Sequence, residues 1–220
     1  MYLISIDGAC RRNGQPDCTA AGGVFIQWAE PGEKHLAAVD TFGVHEYNST
    51  NQRGELLALL EALLFLKKAD SEAQILTDSE YIFNAMTKEW PSRWDANGWL
   101  TASGEPVKNE DLWKKVLTAS RSVPNEVSYF HIKGHVIPFG AVTARNALAD
   151  ESGGYLACLV KEKYDKIAHT KQAALEHASA LSERNNGFRL TPDILKRFVV
   201  ANVVADAVAT KAVEDADRKI

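Results

Sequence analysis

Tyr2, Ile4 and Ile6 recur at the two-residue period of a strand, and Leu3 adds apolar surface to the opposite face. The run predicts a buried strand ending on Asp7. Asp7-Gly8 then reads either as a turn or as a carboxylate at the strand mouth, where a buried charge needs a partner. Gly8 to Gly14, with Pro16 close behind, is a turn-rich linker. Ala21 to Trp28 predicts a second strand, Pro31-Gly32 a turn, and His35 to Val44 a third strand, together an antiparallel meander.

The period changes after the polar break Glu46 to Asn51. Gln52 to Leu66 is long and rich in strong helix formers, with Leu56, Leu59, Leu60, Leu63 and Leu66 on one face. Thr50 or Asn51 is its expected N-cap, which puts Glu55 in the first turn, where an acid also suits the helix dipole. Gln74 to Asp78 predicts a short strand ending on an acid, and a helix follows from Ser79. Asp78 or Ser79 could equally cap that helix. Trp90, Trp94 and Trp99 are candidates either for stacking on a nucleic acid or for core under a loop. A helix is predicted from about Pro106 to Arg121, a strand over Val127 to Ile132, and another helix around Ala144 to Glu151.

The tail differs in kind. Leu156, Leu159, Val160, Ile167, Leu175, Ala178 and Leu181 fall at helical spacing, and Asn185-Asn186-Gly187 is a stop signal. Thr191-Pro192 restarts a helix carrying Ile194, Leu195, Phe198, Val199, Val203 and Val208. The pattern is a helical hairpin. Its apolar stripe must be buried, against the main body or against a second copy of the chain in a homo-oligomer.

Composition adds bounds. Of 220 residues 45% are hydrophobic and 25% charged, as in an ordinary soluble globular protein. No apolar run approaches the roughly 20 residues that span a bilayer, and the N-terminus lacks a basic segment before an apolar core, which points to the cytoplasm and away from membranes. Cys10, Cys18 and Cys158 have no metal-ligand spacing and suggest free thiols in a reducing compartment. Residues up to Gly154 carry 14 Lys/Arg against 20 Asp/Glu, whereas the rest carries 11 against 9. An acidic body disfavours wide electrostatic capture of nucleic acid, but it leaves room for a local site neutralised by metal ions.

Four acids share comparable settings: Asp7 after the first strand, Glu55 early in the first long helix, Asp78 after the fourth strand and Asp150 in a late helix. Brought together they would repel strongly, which makes sense if they hold divalent cations. Hard oxygen ligands suit Mg²⁺, with Mn²⁺ as a substitute.

The chain resembles type 1, bacterial-type ribonuclease H. The resemblance rests on Ile6-Asp7-Gly8-Ala9-Cys10, Gly22-Gly23, Thr50-Asn51-Gln52-Arg53-Gly54-Glu55-Leu56 and Leu76-Thr77-Asp78-Ser79-Glu80-Tyr81. It continues through Gly98-Trp99, Pro106 to Trp113, Lys133-Gly134-His135 and Asn146-Ala147-Leu148-Ala149-Asp150-Glu151. Each piece is weak alone; their order is specific. The resemblance implies an α/β fold, a mixed five-stranded sheet of order 3-2-1-4-5 flanked by helices. It also implies endonucleolytic hydrolysis of the RNA strand of RNA–DNA hybrids. In that family Asp7, Glu55, Asp78 and Asp150 would bind two Mg²⁺ ions, and the products would carry 5′-phosphate and 3′-hydroxyl ends. His135 matches a mobile-loop histidine that shuttles protons or assists product departure. Asn51 matches an asparagine near the 2′-hydroxyls of the hybrid, and Asn13 and Glu80 fall at other hybrid-contacting positions.

Three departures stand out. Trp94-Asp95-Ala96-Asn97-Gly98 lacks the basic cluster that many relatives carry, which should weaken phosphate contacts. The segment from His135 to Asp150 is longer and more apolar than the usual glycine-rich loop. The resemblance covers about 1–155, the expected catalytic domain, and gives no account of 156–220, an expected helical extension that could contact the hybrid or dimerise the enzyme. Two other readings remain: a non-catalytic hybrid-binding module, and another nuclease of the same superfold, such as a junction resolvase or an integrase-like core.

Overall fold

The alternation along the first strand becomes the two faces of one sheet. The computed structural model describes residues 1–15, 17–29, 36–134, 172–187 and 192–218. The strands are β1 (Tyr2–Arg11), β2 (Thr19–Ala29), β3 (Leu36–Glu46), β4 (Ala73–Thr77) and β5 (Val127–His131), in spatial order β3-β2-β1-β4-β5. β1 pairs antiparallel with β2, and β2 with β3, while β4 lies parallel to both β1 and β5. This is the expected mixed sheet.

On one face Ile4, Ile6, Val24, Ile26 and Ile75 pack under α1 (Asn51–Leu66) and α4 (Glu110–Ser120), with Leu56, Leu59, Leu63 and Trp113 fully buried. Thr50 caps α1, its hydroxyl accepting from Arg53 N at 3.4 Å. Arg53 also ties the helix start to its neighbours through ion pairs with Glu46 at 2.6 Å and Asp111 at 2.8 Å. Two short helices, α2 (Glu80–Thr87) and α3 (Trp90–Ala96), lie between β4 and α4 in sequence.

The opposite face is covered by the tail. Helix α5 (Gln172–Asn186) ends at the predicted Asn-Asn-Gly stop, where Gly187 has φ 76°. Helix α6 (Pro192–Asp217) begins at the predicted proline and crosses β1, β2 and β3. Leu3, Phe25, Leu76 and Ile132 meet Leu195, Phe198, Val199, Val203, Val204 and Val208 in a second core. The apolar stripe of α6 is thus buried against the body of its own chain. Gly23 makes this approach possible: a Cβ there would overlap the backbone of Ala205 and Ala209. At the far end Asp217 binds Arg11 and Thr19, and Tyr47 donates to Ala216 O.

Several local expectations change. β1 continues to Arg11, so Asp7-Gly8 is paired strand and not a turn; Asp7 faces Gly23 and Gly8 faces Gly22. Gly8 is glycine because a side chain would collide with Glu55 Cγ and the start of α1. Glu55 is the fifth residue of α1, beyond the first turn. Cys10 and Cys18 are joined in a disulfide instead of being free, because the β1–β2 connection folds back and brings their Cα atoms to 6.5 Å. The predicted helix around Asp150 lies outside the described residues. No helix among the described residues is long and apolar enough to cross a membrane.

Candidate active site

Strand alternation sends Leu3, Ser5 and Asp7 toward α6 and the residues between them toward α1. Asp7 is only 7% exposed. Its Oδ1 accepts from Gly8 N at 2.7 Å and its Oδ2 from Asn202 Nδ2 at 3.2 Å, so α6 holds one carboxylate oxygen. Glu55 projects from α1 against Gly8, and its Oε1 accepts from Asn51 Nδ2 at 3.0 Å. Asp78 follows β4 directly, and Ser79 behind it caps α2 by accepting from Ile82 N at 3.4 Å. Gly134 lies against Asp78, where any side chain would overlap the carboxylate.

The charges of these acids are felt mutually. Burial, followed by repulsion from Asp78 and from Asp206, pushes the Asp7 carboxyl well above the usual range, with Glu55 adding to it. Glu55 is also raised, chiefly by burial, against the opposing hydrogen bond from Ser79, with Asp78 adding repulsion. Asp206, four residues beyond Asn202 on α6, therefore shares the neighbourhood of Asp7. Sequence reasoning missed both α6 residues. The available signal was spacing: Asn202 and Asp206 repeat the i, i+4 separation of Asn146 and Asp150, and they are the two polar residues in an otherwise apolar run from Phe198 to Ala209.

Two sequence candidates, His135 and Asp150, lie outside the described residues. Asn13 sits on the β1–β2 connection, and its Oδ1 accepts from Asn51 N at 3.4 Å, so Asn13, Asn51 and Glu55 form one hydrogen-bonded row. Glu80 is exposed at the start of α2 and pairs with Arg184 at 3.7 Å. Trp99 belongs to the core, 8% exposed with the Lys114 ammonium over its ring at 5.3 Å, and half-buried Trp94 packs against that core, edge-on to Trp113 at 5.5 Å. The structure brings Asp7, Glu55 and Asp78 together beside Asn51, while the Trp99 indole is buried.

The donor set fits hard divalent cations. It offers carboxylate oxygens from separate elements whose mutual repulsion a bound cation would relieve. Among the described residues no three such side chains are drawn into a closed cation cage. The repulsion has a sign that can be tested. An acid with a raised pKa keeps its proton in the fold and loses it on unfolding, so its contribution falls as pH rises above the ordinary carboxylate pKa of about 4. His131, whose pKa burial lowers, works the other way up to about pH 6.5. Asp7→Asn isolates the acid: without metal, its melting temperature relative to the parent should climb from pH 5 to pH 8. A constant difference across that range would contradict the repulsion.

Comparisons with known proteins agree with this architecture. The sequence model of the RNase H family matches residues 2–154. The ribonuclease H of Clostridium botulinum is 35% identical over 133 residues, 60% of this chain and 83% of that protein. The ribonuclease H of Symbiobacterium thermophilum is 34% identical over 149 residues, 68% of this chain and 89% of that protein. A crystal structure of a type 1 ribonuclease H with the type 2 active-site motif superposes at TM-score 0.52 with 27% identity, over 61% of this chain and 63% of that one. The solution structure of the prototype foamy virus ribonuclease H domain shares the fold at TM-score 0.53 and 24% identity, over 70% of this chain and 94% of that one.

Proposed function

The chain belongs to the ribonuclease H family and is an endoribonuclease; from its site we propose that it hydrolyses the RNA strand of RNA–DNA hybrids at a centre built from Asp7, Glu55, Asp78 and Asp206. The observation that carries the reading is that β1, α1, β4 and α6 bring Glu55, Asp78 and Asp206, all half-buried, around buried Asp7, whose carboxyl pKa each of them raises. A protein that only bound hybrid would gain nothing from carboxylates grouped toward phosphate.

Asp206 takes the fourth place in this reading because α6 lays it beside Asp7. The family match, which includes Asp150, supports the other candidate. Two Mg²⁺ ions, or Mn²⁺ in their place, would neutralise the acids and supply an activated water and a stabilised leaving oxygen, giving 5′-phosphate and 3′-hydroxyl products. Asn202 orients Asp7 by holding Oδ2, and the Gly8 N–H fixes Oδ1. Asn51 holds Glu55 through its side-chain amide and presents its other face, with Asn13, to the 2′-hydroxyls that distinguish RNA from DNA. His135, one residue beyond Gly134, is the proton carrier for the departing product.

The test uses Asp78→Asn on an end-labelled hybrid. Cleavage should fall on the order of a hundredfold or more while hybrid binding persists, since the change removes a metal-facing charge and leaves the surface shape. Product ends should read as 5′-phosphate and 3′-hydroxyl. Undiminished cutting by Asp78→Asn would remove the acid from the reaction.

A further inference from the structure

Between α2, β5 and the end of α5 lies a groove of about 500 Å³, lined by both aromatic and polar side chains. Lys88 and Arg184 stand on its walls, with Asn84, Thr87 and Asn185 between them. Its size suits a unit of a nucleic-acid strand. Resting on the hybrid reading above, we propose that this groove binds the sugar–phosphate backbone of the hybrid as it passes beyond Asp78, with Lys88 and Arg184 as its phosphate contacts.

Three observations support this. The groove is joined to the catalytic region: Asn185 Nδ2 donates to His131 Nδ1 at 2.8 Å, which leaves His131 Nε2 to donate to Asp78 O at 3.1 Å. The wall is also fixed. Asn186 accepts from His131 N and donates to His131 O, both at 2.8 Å, so its side-chain amide pairs with the end of β5 as a neighbouring strand would.

The third observation is charge. Several cations elsewhere are paired with carboxylates: Arg53 with Glu46 and Asp111, Arg12 with Asp17, Arg121 with Asp95 and Lys114 with Glu110. Lys88 instead lies over the Trp90 ring at 5.9 Å and has no carboxylate partner among the described residues. Arg184 makes a long 3.7 Å approach to exposed Glu80, and its Nε donates to Asn185 Oδ1 at 3.5 Å. Exposed charges held this loosely exchange readily for phosphate. The groove thereby supplies phosphate contacts that the tryptophan-bearing segment, with Asp95 in place of a basic cluster, does not.

The experiment measures hybrid affinity against salt by fluorescence anisotropy, in an Asp78→Asn background so that the substrate survives. Adding Lys88→Gln and Arg184→Gln should lower the slope of log affinity against log salt by about 1.8, two contacts at about 0.9 each. Lys67→Gln with Lys68→Gln, two exposed cations at the end of α1, should leave it unchanged. Asn84→Lys should steepen it. An unchanged slope in the groove variant, or an equal loss in the Lys67/Lys68 control, overturns the proposal. Cleavage is scored separately on the unmutated enzyme. If that enzyme fails to cut hybrid while the groove variant still flattens the slope, the catalytic reading falls and the groove stands.

Discussion

Truncation after Tyr155 is expected to leave a chain that does not fold. The deletion removes α6, and with it the cover over Leu3, Phe25, Leu76 and Ile132. Exposing those side chains costs roughly 1.5–3 kcal/mol each. Together that rivals the whole stability of an ordinary domain, about 5–15 kcal/mol. The sheet would be left with one bare apolar face, and Asp7 would lose its Asn202 partner. Circular dichroism and gel filtration of the truncated chain should show loss of cooperative melting and aggregation. A monomeric fragment with a sharp transition would mean that the first 155 residues carry their own core.

Asp206→Asn should depress hybrid cleavage on the order of a hundredfold or more, whereas Asp150→Asn should leave it within a fewfold of the parent. Asp206 adds its charge directly to the field at Asp7. Removing that charge weakens the attraction for a cation and relieves repulsion in the metal-free fold. The variant should therefore bind Mg²⁺ more weakly by calorimetry while melting no lower than the parent without metal. The reverse pattern, Asp150→Asn inactive and Asp206→Asn active, would return the fourth place to Asp150.

Much of this arrangement is legible along the chain. Ile4 and Ile6 against Leu3 announce a strand buried on both sides, and the structure gives each set its own core. Thr50, Ser79, Pro192 and Asn186-Gly187 mark helix ends because capping and left-handed backbone are local requirements. What the chain does not announce is long-range. The stripe on α6 says that something must cover it, but the same valines would serve a dimer. Asp7-Gly8 has the composition of a turn; only the approach of Glu55 from α1 shows why a glycine stands inside a strand. Trp99 has the composition of a stacking surface and is buried under Lys114. Asp206 was hidden for the same reason as α6: its partner, Asp7, lies 199 residues away, and only the crossing at Gly23 joins them.

Hydrolysis at the acidic centre is tested most directly by cleavage of an end-labelled RNA–DNA hybrid with Mg²⁺, beside single-stranded RNA, duplex RNA and duplex DNA. Internal cuts are expected in the RNA strand of the hybrid, none in the other three substrates, and none once the metal is chelated. Hybrid that is bound but uncut with either Mg²⁺ or Mn²⁺, or equal cutting of duplex RNA, would contradict the proposed activity.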